Sequence, residues 1–141
     1  YAGNPEKSEE LWAGGWLHTG DVAGMSGDGW LKIVDRIKDV IKTGGEWVSS
    51  IDLEGMILQH AGVGECAVVG VPDEKWGERP VALVVKNGDV DEDAIKELVS
   101  QYADKGVISR YGIPDRVVFV DELPRTSVGK LDKKKMRAEM V

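Results

Sequence analysis

Three short stretches gather polar groups that a packed core would not need: His18-Thr19-Gly20-Asp21, Asp35-Arg36-Ile37-Lys38-Asp39 and Thr126-Ser127-Val128-Gly129-Lys130. The third carries the clearest chemistry, because a lysine on a glycine loop can neutralise a carboxylate or a phosphate inside a site that closes over it. It is not a nucleotide P-loop, since the first glycine of G-x-x-x-x-G-K would fall at Pro124. Taken singly, each stretch also has a plain reading. Gly20-Asp21 can be a turn, Arg36 and Asp39 a surface ion pair, and Gly129-Lys130 a loop before a helix.

Other chemistries lack their residues. The single cysteine, Cys66, lies in an apolar run and reads as a small core side chain, while His18 and His60 have no paired cysteines to make a zinc site. The chain of 141 residues holds 18 Lys and Arg against 25 Asp and Glu, a formal charge of -7, which opposes a general nucleic-acid role or an anionic-membrane role. The distribution is uneven: residues 1–129 carry -10 and residues 130–141 carry +3, the latter reading as a solvated helix face. No run approaches the roughly 18 apolar residues of a membrane span. Tyr1-Ala2-Gly3-Asn4-Pro5 lacks an initiator Met and an apolar leader, so the chain is expected to be cut from something longer.

Elements must hold these stretches in place. Residues 1–28 show little periodicity and are expected to be irregular. Trp30 to Val34 forms a short apolar run, and Gly44-Gly45 predicts a hairpin around residues 38–48. Ser49 followed by Asp52 has the spacing of a helix start, with Leu53, Met56, Ile57 and Ala61 on one face and Gly62 as the stop. Strands are expected near 66–71, 81–86 and 117–120, a helix from Asp91 with Ile95, Leu98, Val99 and Tyr102 inward, and a basic helix from Leu131 to Met140. The order is that of a compact α+β domain, a hairpin followed by a short mixed sheet packed with helices.

In order and spacing the motifs resemble the C-terminal portion of the adenylate-forming superfamily, which includes acyl-CoA synthetases, luciferases and peptide-synthetase adenylation domains. The matching stretches are Gly15 to Asp21, Asp28-Gly29-Trp30, Asp35 to Lys42, Gly44-Gly45-Glu46 and Leu123 to Lys130, covering essentially the whole chain. Lys42 to Ser50 and Lys75 to Pro80 look like the medium- and long-chain fatty acyl-CoA synthetase branch. Trp47 stands where some relatives carry a phosphate-contacting Arg, which argues against the acetyl-CoA synthetase type.

The resemblance implies roles residue by residue. Asp21 and Arg36 would reach the ribose of ATP, a diol that suits a carboxylate acceptor and a forked guanidinium. Lys38 would be the hinge, Lys130 the catalytic lysine of adenylation, and Gly45 the lining of the pantetheine tunnel after the domain rotates. Lys42 matches a lysine that can enter the site in the second conformation, and a solvated strand lysine is the other reading. Arg79 and Lys133, Lys134 and Lys135 could meet CoA phosphates, but read better as surface groups. No residue here is assigned to a metal; Mg2+ ligands, the adenine pocket and the acyl pocket would lie on a large N-terminal domain of the same chain.

The resulting expectation is a C-terminal fragment of an ATP-dependent fatty acyl-CoA synthetase. Residues 1–36 would be the tail of the large domain and residues 37–141 the mobile small domain. The partners implied are a fatty acid, ATP and CoA, in the cytoplasm, with little activity in the fragment alone. The rivals are a carrier-protein-loading adenylating enzyme and a stand-alone interaction module in which Lys130 and the basic helix bind an acidic protein.

Overall fold

In the computed structural model residues 1–140 are described, and they divide into two compact units, one ending at Lys38 and the next beginning at Asp39. The division falls two residues after the expected one.

The first unit is more regular than its composition suggests. Helix α1 (Pro5–Leu11) opens on Asn4, whose side chain accepts from the Lys7 amide at 3.0 Å, with Pro5 in the first turn, where its missing N–H costs nothing. None of its residues is buried, so it has no apolar stripe for periodicity to detect. After a single 3-10 turn at Ala13–Gly15, strand β1 (Asp21–Met25) pairs antiparallel with β2 (Leu31–Arg36). The register sets Asp21 opposite Arg36 and Met25 opposite Leu31.

The second unit is built on a five-stranded mixed sheet. Its path runs β4 (Glu46–Val48), β3 (Ile41–Thr43), β6 (Gly77–Lys86), β5 (Val63–Asp73), with β7 (Arg116–Phe119) parallel to β6. Gly44 and Gly45 join β3 to β4 with φ of +60° and +81°, a two-residue turn that glycine adopts without steric cost. Strands β5 and β6 outrun the apolar cores expected for them. Their antiparallel ladder continues through Val71–Arg79, Pro72–Glu78 and Asp73–Gly77, since pairing uses backbone groups and does not need apolar side chains.

The continuous apolar runs in β5 and β6 have a single cause: both faces of the sheet are covered. Val68, Ala82 and Val84 point to one core with Leu53, Ile57, Ile95 and Val99, under α2 (Ser50–Ile57) and α3 (Glu92–Asp104). Ala67, Val69, Val81 and Leu83 point to the other, with Leu123 and Met136 of α4 (Lys133–Met140).

Local signals start the helices. Ser49 Oγ accepts from the Asp52 amide at 3.1 Å and Asp91 from Ala94 at 2.8 Å. Two boundaries differ from expectation. Helix α2 ends at Ile57, so Ala61 lies beyond it and is exposed. Helix α4 begins at Lys133, because Leu131 is drawn into a backbone bridge with Arg125 and the Asp132 side chain accepts from the Lys135 amide at 3.0 Å.

Candidate functional site

In the first unit Asp21 and Arg36 meet side by side. The strand register places them opposite each other, and Arg36 Nε lies 2.9 Å from Asp21 Oδ1, with the guanidinium more than half exposed. Arg36 Nη1 also donates to the Thr19 carbonyl at 3.4 Å. One contact leaves most of the acceptor capacity of the Asp21 carboxylate and several guanidinium donors open, an arrangement suited to a ligand offering both hydroxyls and acceptors. Lys38 is exposed and is the last residue of this unit.

Lys42 and Gly45 share the β3–β4 hairpin. Lys42 pairs across the ladder with Trp47 and holds its ammonium 5.6 Å from the centre of that exposed indole ring. The Lys42 amide donates to Glu78 Oε2 at 2.8 Å, which tethers the hairpin to β6. The two turn glycines differ in surroundings. A Cβ on Gly44 would stand 2.8 Å from the Tyr111 ring, which packs on Trp76 with centroids 5.3 Å apart. A Cβ on Gly45 would meet nothing within 4 Å, so its missing side chain leaves open space.

Lys130 ends a tight loop. The Thr126 amide donates to the Lys130 carbonyl at 2.7 Å, the Gly129 amide donates to the Thr126 carbonyl at 2.9 Å, and Gly129 has φ +81°. The Arg125–Leu131 bridge closes the loop at its base. Lys130 is exposed, and its ammonium makes no hydrogen bond or ion pair among the described residues. The Thr126 hydroxyl is buried without a hydrogen-bond partner among them.

Hairpin and loop are anchored at opposite ends of β6. The hairpin joins it at Gly77, opposite Thr43; the loop is tied through Arg125 to Glu65, which faces Val85. Eight residues of strand separate the two anchors, on the order of 25 Å.

Several cations prove structural. Arg79 is 18% exposed and donates to the carbonyls of Tyr111 at 3.1 Å and Ile113 at 3.3 Å. Lys133 is mostly buried against Glu54 at 2.6 Å, and Arg137 reaches Asp39 at 3.0 Å. Lys134 stays exposed. Cys66 is buried, and the loss of hydration, reinforced by the nearby Glu54 charge, pushes its thiol up to about 12. Among the described residues no three His, Cys, Asp or Glu side chains gather to hold a metal ion. Sequence reasoning singled out neither Arg125 nor Glu65, which lie 60 positions apart. No local spacing could pair them.

The family model described as "AMP-binding enzyme C-terminal domain" matches residues 52–130. The 3-methylmercaptopropionyl-CoA ligase of Ruegeria lacuscaerulensis is 45% identical over 94% of this chain and 24% of its own length. The long-chain-fatty-acid–CoA ligase of Thermus thermophilus is 42% identical over 99% of this chain and 25% of its own. Among solved structures, the amide bond synthetase McbA from Marinactinospora thermotolerans superposes with a TM-score of 0.85 at 37% identity, covering 99% of this chain and 28% of that one. The chain thus spans about a quarter of the length of the curated relatives it matches.

Proposed function

Because the chain belongs to the family of AMP-binding enzyme C-terminal domains, we propose that it is the C-terminal part of an AMP-forming fatty acyl-CoA ligase, with Lys130 serving adenylation and the Gly45 hairpin serving thioester formation. A carboxylate oxygen of the fatty acid attacks the α-phosphorus of ATP, the bond to the bridging oxygen breaks, and pyrophosphate leaves with the electron pair. Asp21 and Arg36 hold the ribose, the carboxylate accepting from its hydroxyls and the guanidinium donating to its oxygens. The Lys130 ammonium lies against the acid and the α-phosphate, where negative charge grows in the transition state. Mg2+ would neutralise phosphate charge, and its ligands would lie on the large N-terminal domain rather than among these residues.

In the second half-reaction the small domain turns about Lys38 and Lys130 withdraws. The Gly45 turn then lines the passage for the pantetheine arm of CoA. The CoA thiolate attacks the acyl carbonyl and AMP departs. Splitting the synthesis in two makes each step a displacement with a good leaving group.

The observation that carries this reading is the free, exposed Lys130 ammonium on a closed glycine loop. The attachment of hairpin and loop at opposite ends of β6, with anchors on the order of 25 Å apart along the strand, supports a rotation that presents them to the acyl group in turn. The relatives differ in acid, and McbA is an amide bond synthetase, so acid and acceptor are tested together. No helix among the described residues is long and apolar enough to cross a membrane; use of ATP and CoA fits the cytoplasm.

The test is carboxylate-dependent ATP–pyrophosphate exchange by the full-length protein, wild type beside Lys130→Ala, across fatty acids from short to long. Exchange abolished by the substitution, followed by thioester formation with free CoA, is the expected result. Absence of exchange with every acid overturns the ligase reading in favour of an interaction module. Exchange without CoA acceptance moves it to a carrier-loading or amide-forming relative.

A further inference from the structure

We infer that Arg125 and Glu65 are positioning residues for Lys130, presetting the loop for adenylation and taking no part in thioester formation; this rests on the ligase reading above. The loop's own backbone bonds close it on itself and leave its orientation against the sheet to other contacts. Its hydrophobic base is held, since Leu123 is buried and Leu131 packs on the same core. Among the described residues, its Gly129 end is held by one side chain. Arg125 Nη2 donates to Glu65 Oε2 at 2.8 Å, while Nη1 donates to the Gly129 carbonyl at 3.2 Å.

The second of these bonds matters for Lys130. The Gly129 carbonyl belongs to the planar peptide that joins Gly129 to Lys130, so fixing that oxygen fixes the plane from which the lysine Cα–Cβ bond departs. Gly129 itself, at φ +81°, sits where backbone freedom is widest, and an external tether is most effective there. Glu65 supplies the rigid end. It lies on β5 and is paired across the ladder with Val85, so its backbone is fixed to the sheet. The guanidinium fork is the one cationic side chain that can grip a carboxylate and a carbonyl at once in fixed geometry.

Both partners are 48% exposed, so the pair contributes little to global stability. That separates positioning from folding. In the full-length protein we would measure three quantities for Arg125→Met, Glu65→Gln and Lys130→Ala: pyrophosphate exchange, thioester formation from supplied acyl-adenylate and CoA, and the thermal midpoint. Arg125→Met is expected to lower kcat of exchange about tenfold or more, as a displaced catalytic group does, with KM for ATP and acid within about twofold. Glu65→Gln acts in the same direction and more weakly. Thioester formation and the midpoint stay at wild-type values.

Equal loss in both half-reactions makes the pair merely structural and overturns the inference, as does a loss confined to KM. Unchanged exchange in both variants, beside a dead Lys130→Ala, overturns it while leaving the ligase reading intact. Unchanged exchange in Lys130→Ala removes the role of Lys130 first, and this inference with it. If Arg125→Met fails to fold, Arg125→Lys, which keeps the charge and loses the fork, is read by the same criteria.

Discussion

Lys133 Nζ lies 2.6 Å from Glu54 Oε1, and that same carboxylate oxygen accepts the Val68 amide at 2.8 Å. Strand β5 is at the end of the sheet path, so its outward amides lack a strand partner. Glu54 of α2 satisfies one of them, Lys133 of α4 neutralises the carboxylate, and Ser50 accepts a further bond from the ammonium at 2.8 Å. A sheet edge that could template aggregation is thereby capped by two helices.

Because both side chains of this pair are only 13% and 14% exposed, removing one partner strands a charge in poor solvent. Lys133→Met should destabilise the chain by about 3 kcal/mol, and adding Glu54→Gln, which keeps an acceptor for Val68, should recover part of that loss. Urea unfolding of the two variants measures both values. A loss under about 0.5 kcal/mol in Lys133→Met would show that the pair behaves as a surface one.

Cys66 gives alkaline sensitivity. Its ordinary value of 9.0 applies to the unfolded chain, while in the fold the thiol is held up to about 12. Between those values the unfolded chain binds fewer protons, so stability falls as pH rises, with a slope approaching about 1.4 kcal/mol per pH unit. Below pH 9 the contribution is flat. Equilibrium unfolding across the alkaline range should show the slope in wild type and its loss in Cys66→Ala.

The turn glycines should separate stability from function. Gly44→Ala meets the Tyr111 ring as well as an unfavourable φ, and should cost well over the roughly 1 to 2 kcal/mol of left-handed strain alone. Gly45→Ala carries the strain without the clash. In the full-length protein it should slow thioester formation and spare pyrophosphate exchange. Equal effects on the two half-reactions would remove Gly45 from the second step.

Asp21→Asn bears on nucleotide binding. The Arg36 guanidinium is more than half exposed, so losing the pair should change stability by no more than about 1 kcal/mol. Binding is a different matter, since an amide offers fewer acceptor sites to a diol. KM for ATP should rise several-fold, with KM for the acid unchanged, in steady-state exchange assays.

Thr126→Val removes a buried hydroxyl that has no partner among the described residues. Stability should stay level or rise by about 1 kcal/mol. A drop in the thermal midpoint would mean that the hydroxyl is hydrogen-bonded in solution.

Local interactions account for the features that residue order alone made readable. Ser49 and Asp91 cap their helices, Gly44-Gly45 makes its turn, and the continuous apolar runs of β5 and β6 announce strands buried on both faces. Each depends on neighbours a few positions away, or on a repeat of two or 3.6, so spacing alone suffices. The motifs around Asp21, Arg36, Gly45 and Lys130 are read through their order and spacing, by resemblance to a family, and taken singly each also has a plain reading. Local spacing failed where an element has no apolar face, as in α1, and where a backbone bridge draws a residue out of its helix, as Arg125 does with Leu131.

Which cations are free depends on contacts between elements far apart along the chain. The basic stripe read as one solvated face, yet Lys133 is mostly buried against Glu54 and Arg137 reaches Asp39, while Lys130 and Lys134 keep exposed ammonium groups that pair with no side chain among the described residues. Charge along a chain does not tell these apart, because the partners of Lys133 and Arg137 lie 79 and 98 positions upstream. They meet only after the sheet register has set where each helix lands, and burial then turns a surface charge into a brace.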